Sequence, residues 1–202
     1  NIATSVNGVL MPGVVRMAEE GAGPKQYLSE MIKVGRIMFI ILGLIWTVFL
    51  VVGRNFVEIW AGEKYSDGYL AAVIIMFPLM FTLIQAIGTQ ILWALNKHKI
   101  QACLKMCSAL INIVVTIILI KVIDPLIGAS IGTAIAYTLG DVIVMNVVFT
   151  KDIHISMVTY YKALFKGILP CLIISGVVGF AFSLLDLGRV LEFLLGSTIM
   201  VV

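Results

Sequence analysis

The chain has 202 residues, 61% of them hydrophobic and 12% charged, with a net charge of +3 at neutral pH and a mean hydropathy of +1.10. That leaves too little polar surface to cover a soluble globule of this length, so the composition reads as that of a membrane protein. The positive charge is spread among apolar runs, and no basic stripe interleaved with aromatics points to nucleic acid.

In chain order, residues 1–15 are uncharged and read as the end of a helix closed by Pro12 and Gly13, with Arg16 after it. Position 1 is Asn and residues 193–202 are an apolar run too short to span, so the sequence is expected to be an internal piece of a longer chain. Over residues 26–34 the apolar Tyr27, Leu28, Met31 and Ile32 recur at helical spacing opposite Lys25, Ser29, Glu30 and Lys33. That pattern predicts a short amphipathic helix lying along the membrane surface.

Five apolar runs follow, over residues 37–53, 68–96, 100–120, 126–149 and 167–185. About 20 apolar residues cross a hydrocarbon core, so each is expected to be a transmembrane helix. Between the first two, Trp60, Tyr65 and Tyr69 suit a membrane interface. Pro78, near the middle of the second run, removes a backbone donor and predicts a kink, which serves either alternating access or static packing. The turn at residues 96–99 and the Asp124–Pro125 pair send the next two spans back antiparallel.

Lys and Arg set the orientation. Segments 16–36, 97–105 and 151–166 carry ten of them, whereas the alternate loops carry four, Arg54, Lys64, Lys121 and Arg189. By the positive-inside rule the richer segments face the cytoplasm. Arg16 and Lys166 then read as anchors on that side.

Within the fourth run Gly128, Gly132, Ala136 and Gly140 recur every four residues, a stripe of small side chains on which another helix can pack closely. Two ionisable residues lie deep in neighbouring runs: Lys105, roughly 10 Å along the third, and Asp141, roughly 14 Å from the cytoplasmic end of the fourth. A charge at such depth pairs, faces a wet cavity or snorkels. Lys105 is long enough to snorkel, Asp141 is not, and the matched depth allows the two to pair. Asn112, Tyr137 and Asn146 line a hydrophilic path or bond across helices. The cysteines Cys103, Cys107 and Cys171 have neither disulfide nor metal spacing and are expected to be small buried hydrophobes. No carboxylate pair, His cluster or phosphate loop indicates an enzyme, a metal or another cofactor.

Four stretches together carry a family resemblance. They are VNGVLMPGVVR at 6–16 with the acidic, glycine-containing segment 18–23 after it, IWAGEKY at 59–65, ALNKHK at 94–99 and GASIGTAIAY at 128–137. In this order they resemble landmarks of Wzx-type polysaccharide exporters of the MOP superfamily, which also contains lipid II flippases and the MATE drug antiporters. The resemblance implies an all-α polytopic bundle, part of a transporter of two six-helix lobes that flips undecaprenyl-diphosphate-linked oligosaccharides across the bacterial cytoplasmic membrane for O-antigen, capsule or exopolysaccharide synthesis. On that mapping residues 1–150 are the C-terminal six-helix lobe, incomplete at its start, and 151–202 add a thirteenth helix and part of a fourteenth. The implied partners are the bilayer, the lipid-linked oligosaccharide, the N-terminal lobe and the polysaccharide polymerase machinery. Of the candidate residues only Arg16 lies at a charged position of a matched motif, as an anchor or at a cavity mouth. The alternative is a MATE-like, cation-coupled multidrug antiporter.

Overall fold

Nearly every backbone polar group in hydrocarbon must be bonded within the segment that carries it, and long apolar segments satisfy that demand as helices. The computed structural model describes residues 12–183, and among them all regular structure is helical. Residues 12–19 form α1, followed by α2 (Pro24–Ala61), a 3-10 turn (Glu63–Tyr65), α3 (Asp67–Ile84), α4 (Ala86–Ala94) and α5 (His98–Val122). Then come α6 (Pro125–Ala136), a π-helical segment (Tyr137–Val144), α7 (Met145–Asp152) and α8 (Met157–Ser183). Five helical stretches are long and apolar enough to cross a membrane: α2, α3, α5, the run from α6 through α7, and α8 as far as Val178. Residues 1–11 of the expected helix end, the apolar run 193–202 and Arg189 lie outside the described residues.

Several boundaries differ from expectation, each for a local reason. Pro12 and Gly13 do not close a helix: both are helical, and the helix continues to residue 19. The amphipathic segment 26–34 is not a separate surface helix. It is the first third of α2, which runs 38 residues without a proline after Pro24 and ends at Gly62, where φ is +96°. The Arg54–Glu58 pair, 3.1 Å apart, lies on its last two turns, beyond the expected end at residue 53. The second span continues as helix through the buried Pro78 and is interrupted at Gln85 (φ −91°, ψ 3°). In α8 the helix breaks at Lys166 and Gly167, where Gly167 takes φ +88°. Residues 157–165 are therefore a separate helical arm, not a loop. The three cysteines are exposed rather than buried, because a lipid-facing position accepts a small apolar side chain as readily as a core does.

Two connections follow from their sequences. After Ala94, Asn96 adopts φ +59°, Lys97 N–H donates to Leu92 O at 2.8 Å and Asn96 N–H to Trp93 O at 3.0 Å, closing α4 in a Schellman turn. Before α6, Asp124 accepts from Leu126 N–H at 2.9 Å and Ile127 N–H at 3.2 Å, with Pro125 at the first helical position.

Across the bundle the main neighbours run α8, α2, α3, α6, α5. One apolar core joins Tyr27, Met31 and Phe39 of α2, Ile87 and Leu92 of α4, Phe149 of α7, and Tyr160 and Leu164 of α8. Residues on both sides of position 150 belong to it. Lys97 Nζ reaches Asp152 O at 2.8 Å and so ties the 96–99 turn to the end of α7 at the same basic end. At the edge of the row, α5 buries only Ser108. It meets α6 along the small-residue stripe. A Cβ on Gly128 would lie 2.9 Å from the Leu119 carbonyl, and one on Gly132 would collide with Thr116.

Candidate functional site

Deep in the spans, α5 runs beside α6 and the π segment closely enough for side chains to bridge their backbones. Gly140 lies against Ser108, and the buried Ala136 belongs to the same contact. At the junction between α6 and the π segment, Ser108 Oγ donates to Ala136 O at 3.0 Å, a side-chain bond that ties α5 to the point where the helical pattern changes. The π segment also carries Asp141. Its side chain is 6% exposed and accepts from Lys105 Nζ at 2.5 Å, whereas the Lys105 side chain is 49% exposed. The pair is therefore one-sided, with a buried anion and a cation whose far side is open.

That open side faces a pocket of about 210 Å³ lined by Lys105, Ser108, Asn112, Thr133, Tyr137 and Asp141. The four pathway candidates named from the sequence, Lys105, Asp141, Asn112 and Tyr137, thus share one wall. Asn112 Oδ1 accepts from Thr116 Oγ1 at 2.9 Å and from Thr133 Oγ1 at 3.5 Å, so it also links α5 to α6. Chemically, the pocket offers one ammonium, one carboxylate and several hydroxyl and amide groups inside an otherwise apolar span. Such a set carries the donors and acceptors needed to hydrogen-bond a polar group.

The other candidates lie elsewhere. Arg16 pairs with Glu20 at 2.8 Å in the exposed last turns of α1, away from the pocket. Pro78 is buried in α3, and the Thr82 hydroxyl donates to its carbonyl at 3.2 Å. Asn146 joins a different cluster, donating from Nδ2 to the Tyr161 hydroxyl at 3.2 Å, and Gln85 Nε2 donates to the same hydroxyl. Ser108, Thr133, Gln85 and Tyr161 were not singled out as site residues from the sequence. A glutamine within an apolar span was the available signal for Gln85, and nothing in the sequence marked Tyr161, since residues 151–166 read as loop and helix ends.

A separate apolar groove of about 690 Å³ runs between α2, α3 and the later part of α8, with Phe39, Trp46, Leu50, Phe77, Phe165 and Leu172 on its walls. Fold and site together define a multi-pass helical membrane protein with an ion-paired polar pocket set within its spans. Comparison with protein-family models, curated proteins and solved structures finds no match to the chain.

Proposed function

We propose that the chain is part of a Wzx-type flippase of the MOP superfamily, moving undecaprenyl-diphosphate-linked oligosaccharides across the bacterial cytoplasmic membrane. The observation that carries this reading is the one-sided Lys105–Asp141 pair opening on the polar pocket. When the pocket is empty the carboxylate holds the ammonium. An arriving diphosphate can take the ammonium donors that Asp141 does not use, so Lys105 can serve both anions at once and the buried carboxylate keeps its partner. Asn112, Thr133 and Tyr137 present hydrogen-bonding groups of the kind that sugar hydroxyls require. The apolar groove is of a size and character suited to an isoprenoid tail. The ordered landmarks at 6–16, 59–65, 94–99 and 128–137 support the same family. A single lobe cannot enclose so large an amphiphile, so the reading requires the N-terminal lobe as the opposite wall, with the two halves rocking about the site.

Deletion of the gene in its host tests this. The expected result is lipid-linked oligosaccharide held on the cytoplasmic leaflet and loss of a surface polysaccharide, restored by the wild-type gene and not by one carrying Lys105→Ala. Unchanged surface polysaccharide with greater sensitivity to cationic dyes would replace the proposal with a cation-coupled drug antiporter, for which Asp141 is the available carboxylate.

A further inference from the structure

A second, much smaller void of about 30 Å³ lies where α3, α4, α5, the π segment and α7 meet, sharing Lys105 and Asp141 with the pocket above. The α3–α4 junction contributes Gln85 and Thr89, α5 contributes Gln101 and Lys105, and the π segment with α7 contributes Asp141, Met145 and Phe149. Gln85 is 2% exposed. Its Nε2 donates to the Tyr161 hydroxyl, while its Oε1 is buried and has no protein hydrogen-bond partner. Asp141 is nearly as buried, and a carboxylate has about four acceptor positions, so Lys105 does not exhaust its capacity.

We propose that this void holds one ordered water molecule, which donates to Gln85 Oε1 and to the Asp141 carboxylate and accepts from Lys105 or the Gln101 amide. The space open to a water centre, about 30 Å³, exceeds the roughly 10–15 Å³ that holding a water requires, and a buried water needs two to four polar partners, which these side chains supply. A metal cation fits less well, since the ammonium already on the carboxylate repels it. With the water in place, Lys105, Asp141, Gln85, Tyr161 and Asn146 form one hydrogen-bonded chain from α5 to α8. Occupancy of the polar pocket is thereby coupled to the helical arm at 157–165. This inference rests on the void and on the unpaired acceptor, and not on the identity of any transported substrate.

X-ray hydroxyl-radical footprinting of the full-length protein in nanodiscs tests the site. Radiolysis of a held water oxidises the side chains that touch it. Met145 and Phe149, 5% and 0% exposed, should therefore be labelled, while the equally buried Phe39 in apolar surroundings should not. After mixing with H2(18)O, the heavy isotope should enter the Met145 and Phe149 products more slowly than the product at the exposed Met106. Gln85→Leu, which removes the acceptor at similar size, should abolish the label at both positions. Absence of label in the wild type would mean a dry void and overturn the proposal. Isotope uptake as fast as at Met106, or label that persists in Gln85→Leu, would mean bulk solvent in place of a bridging water and would overturn it equally. If Gln85→Leu does not fold, the wild-type label and its exchange rate decide.

Discussion

Lys105 and Asp141 are bonded to each other, yet their environments make them unequal. Removing a partner of a buried pair costs about 3 to 5 kcal/mol when a charge is stranded, and only Asp141 is buried enough to be stranded. Lys105→Ala is therefore expected to lower thermal stability clearly. Asp141→Asn is expected to cost about 1 kcal/mol or less, because the freed lysine extends toward the headgroups. Melting curves of the purified protein in detergent compare the two, and a costlier Asp141→Asn would show that Lys105 is the constrained partner. Both residues were legible as deep charges in apolar runs, and their matched depth allowed for a pair. The half-exposure of the lysine was not legible, because it depends on α5 lying at the edge of the bundle, and helix order leaves no periodic trace in sequence.

Three interruptions of helical geometry share one solution. The break at Gln85 follows Ile84, whose carbonyl accepts from the Tyr160 hydroxyl at 2.6 Å. The break at Lys166–Gly167 follows Ala163, whose carbonyl accepts from Arg36 Nε at 3.1 Å and from its terminal nitrogen at 2.9 Å. The third is the start of the π segment, where Ser108 serves Ala136. Each time, a neighbouring helix donates to a carbonyl beside the interruption, a contact that a nonpolar surrounding favours. Tyr160→Phe keeps the ring and removes the donor, and should cost about 1 to 3 kcal/mol for an unpaired buried carbonyl, read as a lowered melting temperature. Tyr161→Phe is a less costly comparison, since its hydroxyl serves side chains able to turn elsewhere. Between α5 and α6 the test is steric. Gly128→Ala sets a methyl against the Leu119 backbone and is expected to destabilise by about 1 to 3 kcal/mol, whereas Gly68→Ala, with open space around it, should be neutral or stabilising. The glycine stripe was readable from its spacing of four. The interruptions at Gln85 and at the π segment were not, because neither carries a local signal, whereas the break beside Gly167 coincides with the start of the fifth apolar run.

At the scale of the molecule two kinds of packing coexist. Toward the basic end, large apolar side chains from α2, α4, α7 and α8 interdigitate around Tyr160 and Phe149, both 0% exposed. Along α5 and α6 small residues let backbones approach, as expected where lipid removes the hydrophobic drive between helices. The charge asymmetry, ten against four, predicts that the interdigitated end faces the cytoplasm. Single cysteines at Gly23, Asn96 and Thr159 of a cysteine-free full-length protein should resist an impermeant thiol reagent in intact cells, and cysteines at Ser66 and Ile123 should react. Labelling of Asn96 from outside would invert the topology. The five spans were plain from hydropathy, whereas the continuity of α2 was hidden by the polar residues on its first turns. That continuity has a mechanical meaning. At about 1.5 Å per residue, its 38 residues make a rod of roughly 57 Å, nearly twice the hydrocarbon thickness of about 30 Å. A tilt of roughly 10° about the midpoint carries each end about 5 Å in opposite directions while the helix's own backbone bonds stay intact. A small rotation inside the bilayer is thereby geared into a far larger displacement at either surface than at the midplane.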